Sequence, residues 1–254
     1  MKVIFNGTGS STGTPQLFCK CAVCSSADPK NKRTRFSMTI IEKDTTILVD
    51  TPFELRLQLL RSGIQNIDMI WLTHPHSDHI AGLDDLRMVS FMKKQPLPIF
   101  GSQKTLEAAK RQFPYMFTPQ NEYIERPFLI PHIITENTVK FKDIEIIPIK
   151  HHDGKTEVES MRIGKFALIA DISHIKKEEF EKLKGIDTLA ISTTVKKPHS
   201  KHLSLSEVID FIDKLQPKRA YLTHMNHTFD YKETLNLLPE NIQPAWDGME
   251  ILIF

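Results

Sequence analysis

The chain has 254 residues and a formal net charge of +2, with 40% hydrophobic and 25% charged residues, enough to bury a sizeable core within one α/β unit. Acidic and basic residues are interspersed, so there is no broad basic surface of the kind nucleic acid requires, although a small anionic substrate is compatible with this balance. The apolar run opening the chain is too short for a secretory signal and none reaches membrane-spanning length; the expectation is a cytoplasmic protein with no membrane contact, and a homodimer is left open.

In chain order, Gly7-Thr8-Gly9 comes first and runs into a cysteine cluster instead of a helix, so it reads as a tight turn and not a dinucleotide loop. Cys19, Cys21 and Cys24 are the only cysteines. A disulfide framework would want an even number spread along the chain, whereas three thiols at this spacing can chelate one zinc ion, which suggests a zinc-binding loop around residues 15–30. Apolar, β-branched runs predict strands at 36–41, 46–50, 69–73, 145–149, 166–170, 186–192 and 219–223. Helical spacing is found at 53–61, 80–92, 105–113, 176–183 and 205–215, the last opened by a capping box from Ser204 to Glu207. Prolines are scattered, and no linker or repeat divides the chain, so a single domain over 1–254 of α/β or α+β class is expected.

Several predicted strands end in His or Asp, where a sheet can hold a loop to the tolerance that coordination chemistry needs. After strand 69–73 comes His74-Pro75-His76-Ser77-Asp78-His79, four candidate ligands in six positions. His74 and His76 project to one side of an extended segment, and Asp78 and His79 at the following turn can aim at a neighbouring point. Imidazole and carboxylate donors suit zinc, manganese or iron(II) in a reactive centre, since no thiolate takes part. Later strand ends add His151, with His152 as the alternative, then Asp171 and His224. His132, His174 and His199 have no distinctive frame and read as surface or hydrogen-bonding residues.

This H-x-H-x-D-H motif, followed by separate His, Asp and His in that order, resembles the metallo-β-lactamase superfamily over nearly the whole chain. The resemblance implies a four-layer αββα sandwich and two catalytic metals, one on His74, His76 and His151, the other on Asp78, His79 and His224, with Asp171 between them. Asp78 counts with the catalytic machinery as well as the ligands. Asp50 would fill the family's supporting carboxylate position, although Thr51-Pro52 departs from the Asp-x-Gly usual there. The N-terminal G-T-G loop, the cysteine cluster and Leu222-Thr223-His224-Met225-Asn226-His227-Thr228-Phe229-Asp230 together look like one subgroup, the phosphoribosyl cyclic phosphate phosphodiesterases of the carbon–phosphorus lyase pathway. That likeness makes His227 the fourth ligand of a structural zinc. It also makes His202, just before the capped helix, a general acid for the leaving group.

A metal pair of this kind suits hydrolysis of a small phosphodiester, such as a phosphoribosyl 1,2-cyclic phosphate. The same pair suits lactone, thioester and other carbonyl esters, and the fold does not choose between them. Two further readings are tRNA 3′-end processing, for which the chain shows no long basic insertion, and a non-hydrolytic metal-binding role like that of the pyrroloquinoline quinone pathway protein B.

Overall fold

The computed structural model describes residues 1–119 and 126–254. Six strands come first: Lys2–Gly7 (β1), Ser37–Glu42 (β2), Thr45–Val49 (β3), Met69–Trp71 (β4), Leu97–Gly101 (β5) and Leu129–Ile133 (β6). Eight follow: Val139–Phe141 (β7), Ile144–Asp153 (β8), Thr156–Ile163 (β9), Phe166–Ile169 (β10), His174–Ile175 (β11), Thr188–Ser192 (β12), Arg219–Thr223 (β13) and Ile242–Pro244 (β14). The last strand, Met249–Leu252 (β15), returns to the first sheet beside β1, giving the order β15-β1-β2-β3-β4-β5-β6. The second sheet runs β11-β8-β9-β10-β12-β13-β14, with β7 paired to β8.

Side-chain alternation along these strands creates the layers. Ile47, Val49, Met69 and Trp71 point from the first sheet into a core shared with Ile146, Met161, Phe166 and Leu168 of the second. Their neighbours Leu48 and Ile70 face the other way and bury Leu55, Leu83, Leu86 and Leu106. On the second sheet Ala167, Ile169, Leu189 and Leu222 pack against Val208, Phe211 and Ile212. Three apolar interfaces stacked in this way define four layers, helix, sheet, sheet and helix, as expected for the metallo-β-lactamase sandwich. The crossovers agree: β3 through β6 pair in parallel, and helices Leu55–Ser62, Leu86–Lys93 and Gln103–Gln112 occupy the connections.

Helix Leu205–Leu215 has the expected bounds and its full capping box, Ser204 and Glu207 each bonding the other's backbone. Two of the expected elements differ in ways that bear on the site. The helix expected at 80–92 is broken into Ser77–Ile80, a 3-10 turn Leu83–Asp85 and Leu86–Lys93. Backbone bonds to the end of β3 cause the break: Thr51 N donates to the His79 carbonyl and Gly82 N to that of Thr51, taking groups a continuous helix would use. A Cβ on Gly82 would lie 2.1 Å from the Pro52 carbonyl oxygen, so only glycine lets the two segments meet. The strand expected at 145–149 instead continues to Asp153, a difference that bears directly on the site.

Candidate metal centre

Asp50 follows β3, His74 lies three residues past β4, Asp153 ends β8, Asp171 lies two residues past β10, and His224 follows β13. Strands β3 and β4 are parallel, as are β10, β12 and β13, and β8 and β10 both pair antiparallel with β9, so these side chains collect at carboxyl ends of strands, where α/β folds present ligands. Asp50 and His224 both take left-handed backbone, each with φ of 56°, which turns the chain sharply as it leaves the sheet.

The ligand atoms form overlapping groups: His74 with His76 and Asp153; His74 with His79 and Asp171; and Asp78 with His79 and His224, within 4.8 Å of one another in each group. Asp171 lies between them. Its Oδ1 is 3.3 Å from His224 Nδ1, and its Oδ2 is 3.5 Å from His79 Nε2 and 3.8 Å from His74 Nε2. Asp78 Oδ2 is 3.3 Å from His79 Nε2 and 3.6 Å from His224 Nε2.

Asp50 orients two of the imidazoles. Its carboxylate can only accept, so His79 donates from Nδ1 across 2.6 Å, which turns Nε2 inward. Thr73 donates from N and Oγ1 to Asp50, and Thr73 Oγ1 then accepts from His74 Nδ1 at 2.9 Å, which turns His74 Nε2 inward as well. The inward atoms lack hydrogen-bond partners: His79 Nε2, His224 Nε2, Asp171 Oδ1, Asp153 Oδ1 and His202 Nδ1 are all buried and unsatisfied. Buried polar atoms are seldom left so, and those that belong to the ligand groups fit divalent cations.

The electrostatics agree. Burial pulls the His79 imidazole down, but Asp78, Asp50 and Asp171 outweigh it and hold the group well above its ordinary value. Burial would raise the Asp171 and Asp78 carboxyls, yet His224, His79 and His74 around the first, and His79 and His224 around the second, hold both well below the usual carboxylate range. The field that favours a proton on His79 is the field that favours a metal ion, since the two compete for the same lone pair.

His151, expected as a ligand from its place after the strand at 145–149, is absent from these groups. Because β8 runs on to Asp153, His151 is an interior strand residue opposite Val158, and its Nε2 is 2.7 Å from Ser160 Oγ. His152 is not in the groups either; it pairs with Glu157 and lies beside the His174 ring. The strand end is Asp153, two residues beyond His151 on the same face, with Oδ2 3.7 Å from His76 Nδ1. Asp153-Gly154 is the sequence signal for this extension, since Gly154, with φ of 56°, opens a two-residue hairpin that carries the strand past the histidines.

His202 reaches the rim of the centre, with Nδ1 3.2 Å from Asp153 Oδ1. The ring of His199, assigned no role from sequence, stacks on it with centroids 5.5 Å apart.

A separate cluster unites the cysteines with His227. Its Nδ1 is 3.4, 3.5 and 3.7 Å from the Sγ atoms of Cys19, Cys21 and Cys24. Tetrahedral zinc with ordinary Zn–S and Zn–N bonds separates S from N by about 3.5 Å, so the set fits one zinc ion. A bond from Cys24 N, with help from His227, brings the Cys21 thiol down to about 6, whereas burial pushes Cys24 up to about 11. The loop is bound to the segment after β13 by Arg33, which donates to the Phe229 carbonyl, and by Asn31, which bridges Asp230 and the Tyr231 amide.

Residues 45–225 match the family model described as Beta-lactamase superfamily domain, so the chain belongs to that family, and fold, site and family together define a metal-dependent hydrolase. Within it the chain stands close to the PhnP group. A crystal structure of a diphosphatase from the PhnP family is 34% identical and superimposes with a TM-score of 0.92, covering 100% of this chain and 98% of that one. An octanoyltransferase from Porphyromonas gingivalis is 33% identical over 257 residues, which take in 100% of this chain but 52% of that protein, so the chain spans about half its length. Zinc-bound PqqB from Methylobacterium extorquens, 17% identical with a TM-score of 0.80 and both chains covered in full, shares the fold. Among the described residues no helix is long and apolar enough to cross a membrane.

Proposed function

We propose that the chain is a dinuclear metal-dependent phosphohydrolase that cleaves a small phosphodiester, with a cyclic phosphoribosyl phosphate as the type of substrate. The observation that supports this reading most is the position of Asp171, whose Oδ2 lies between His79 Nε2 and His74 Nε2, one from each group of ligand atoms, where a carboxylate could serve two metals. His74 and His76 would hold one ion and Asp78, His79 and His224 the other. Bound divalent ions would supply Lewis-acid activation of water and a clamp on the phosphoryl oxygens.

The protein's own residues do the rest. Asp50 and Thr73 fix the His79 and His74 rings before any ligand arrives, so no reorganisation is needed during reaction. His202, whose Nδ1 lies 3.2 Å from Asp153 Oδ1, would present Nε2 to the leaving oxygen and give it a proton, the general-acid role proposed for this residue. The Cys19–Cys21–Cys24–His227 cluster would hold a structural zinc that braces His224, three residues before His227.

Preference for a phosphoryl over a carbonyl centre is supported by the PhnP-family diphosphatase, alike over nearly the whole of both chains. The same relative favours a second reading, cleavage of a diphosphate anhydride. A panel containing a five-membered cyclic phosphodiester, a linear phosphodiester, a nucleoside diphosphate and a thioester, each with manganese and with zinc, distinguishes these. Fastest turnover of the cyclic ester supports the proposal; preference for the diphosphate selects the second reading, and preference for the thioester refutes both.

A further inference from the structure

We propose that Asp153 is a metal ligand, so that the first metal position is formed by His74, His76, Asp153 and the shared Asp171, two imidazoles and two carboxylates, and is suited to manganese(II) or iron(II) as well as zinc. The inference rests on the reading that divalent ions occupy the centre. It departs from the pattern the sequence resembles, in which a third histidine completes this position.

Geometry puts Asp153 there. It is 5% exposed, ends β8, and places Oδ2 3.7 Å from His76 Nδ1. His74 Nε2 lies 2.9 Å from that same His76 nitrogen and 3.8 Å from Asp171 Oδ2. Donors around one ion at ordinary bond lengths stand about 3 to 3.6 Å apart, so the His74, His76 and Asp153 atoms, all within 4.8 Å of one another, need only small side-chain adjustments to close on a centre, and Asp171 adjoins them through His74. His151, the nearest histidine on that face of β8, has its Nε2 taken up by Ser160 Oγ, which itself accepts from Ala170 N. That contact holds the His151 ring against Ser160 on β9, and the ring is in none of the ligand groups.

Donor chemistry then sets the selectivity. Carboxylate oxygen is a harder donor than imidazole, and exchanging one for the other lowers the advantage zinc holds over manganese in nitrogen-rich sites. Both positions become two-nitrogen, two-oxygen sets, because Asp78, His79, His224 and Asp171 form the second. Asp153 also faces His202 through its other oxygen, at 3.2 Å, so one carboxylate joins the first metal position to the proposed proton donor.

The test counts metal and does not depend on turnover, so it is separate from the phosphohydrolase reading. Stripped full-length protein is reloaded with manganese, passed through a desalting column, and its metal content measured; zinc is then titrated in while free manganese is followed by electron paramagnetic resonance. The expectation is that wild type and His151→Gln retain two manganese ions per chain, that Asp153→Ala loses one, and that Asp153→His retains two but releases manganese at roughly tenfold lower zinc. Two ions retained by Asp153→Ala, or one lost by His151→Gln, would overturn the assignment. If Asp153→Ala does not fold, Asp153→His decides, and unchanged zinc displacement would count against the proposal. Wild type holding no manganese pair would remove the metal-pair reading and this inference with it.

Discussion

Asp50 Oδ2 and His79 Nδ1 lie 2.6 Å apart with both side chains wholly buried, and the same carboxylate reaches His74 through Thr73. One residue outside the ligand set therefore fixes the rings of two residues within it. Removing such a partner typically costs 10- to 100-fold in metal affinity or activity, that is ~1.4 to 2.8 kcal/mol. Asp50→Ala is expected to weaken manganese binding by about that factor, read by calorimetric titration; unchanged affinity would show that packing alone orients the imidazoles.

For His202 the expected result depends on the leaving group. His202→Ala should keep its full metal content and lose about 10²- to 10⁴-fold in kcat on an alkyl phosphodiester. With p-nitrophenolate, which departs without a proton, the loss should shrink towards unity. Equal losses on the two substrates would point to a binding role.

Cys24→Ser is expected to remove one zinc equivalent and lower the melting temperature by roughly 5 to 10 °C while the manganese pair remains, because the loop and the segment after β13 lose their shared ligand. Metal analysis and a thermal melt on the same sample provide the check. Loss of manganese along with zinc would mean that the two centres are coupled.

Glu159 gives a pH signature. It is buried, and that burial raises its carboxyl to about 7 against the opposing pull of Lys150 Nζ, 3.8 Å away. Between the unfolded value near 4.5 and this raised value the folded chain holds a proton that the unfolded chain has released, so the contribution to stability is complete below that window and is lost as pH rises through 7. Glu159→Gln should therefore match wild type at pH 4.5 and exceed it by ~2 to 3 kcal/mol at pH 8 in urea unfolding. A difference that does not change with pH would contradict the buried, protonated state.

Much of the centre was legible in the sequence because its residues follow strands whose alternation is unambiguous. Met69-Ile70-Trp71 could only be a buried strand, and His74, His76, Asp78 and His79 follow it directly. The Ser204–Glu207 box fixed the start of the helix after His202 in the same way. Legibility failed where local pattern and tertiary contact disagree. Residues 80–92 have helical spacing throughout, but the close passage of Gly82 by Pro52 breaks the helix, and that contact joins residues thirty apart. His151 is favoured over His152 by its preceding Pro-Ile-Lys frame, which resembles the family's, whereas β8 continues through polar residues past both histidines to its hairpin at Asp153. The cysteine spacing pointed to a metal, but its partner His227, more than two hundred positions away, came from family likeness and not from the spacing.

The most direct measurement of the central claim is hydrolysis of bis(p-nitrophenyl) phosphate by the purified full-length protein, supplied separately with manganese and zinc, beside a His76→Ala variant. The account predicts metal-dependent release of p-nitrophenol by wild type and its loss in the variant. No turnover by wild type with both metal positions filled would contradict it.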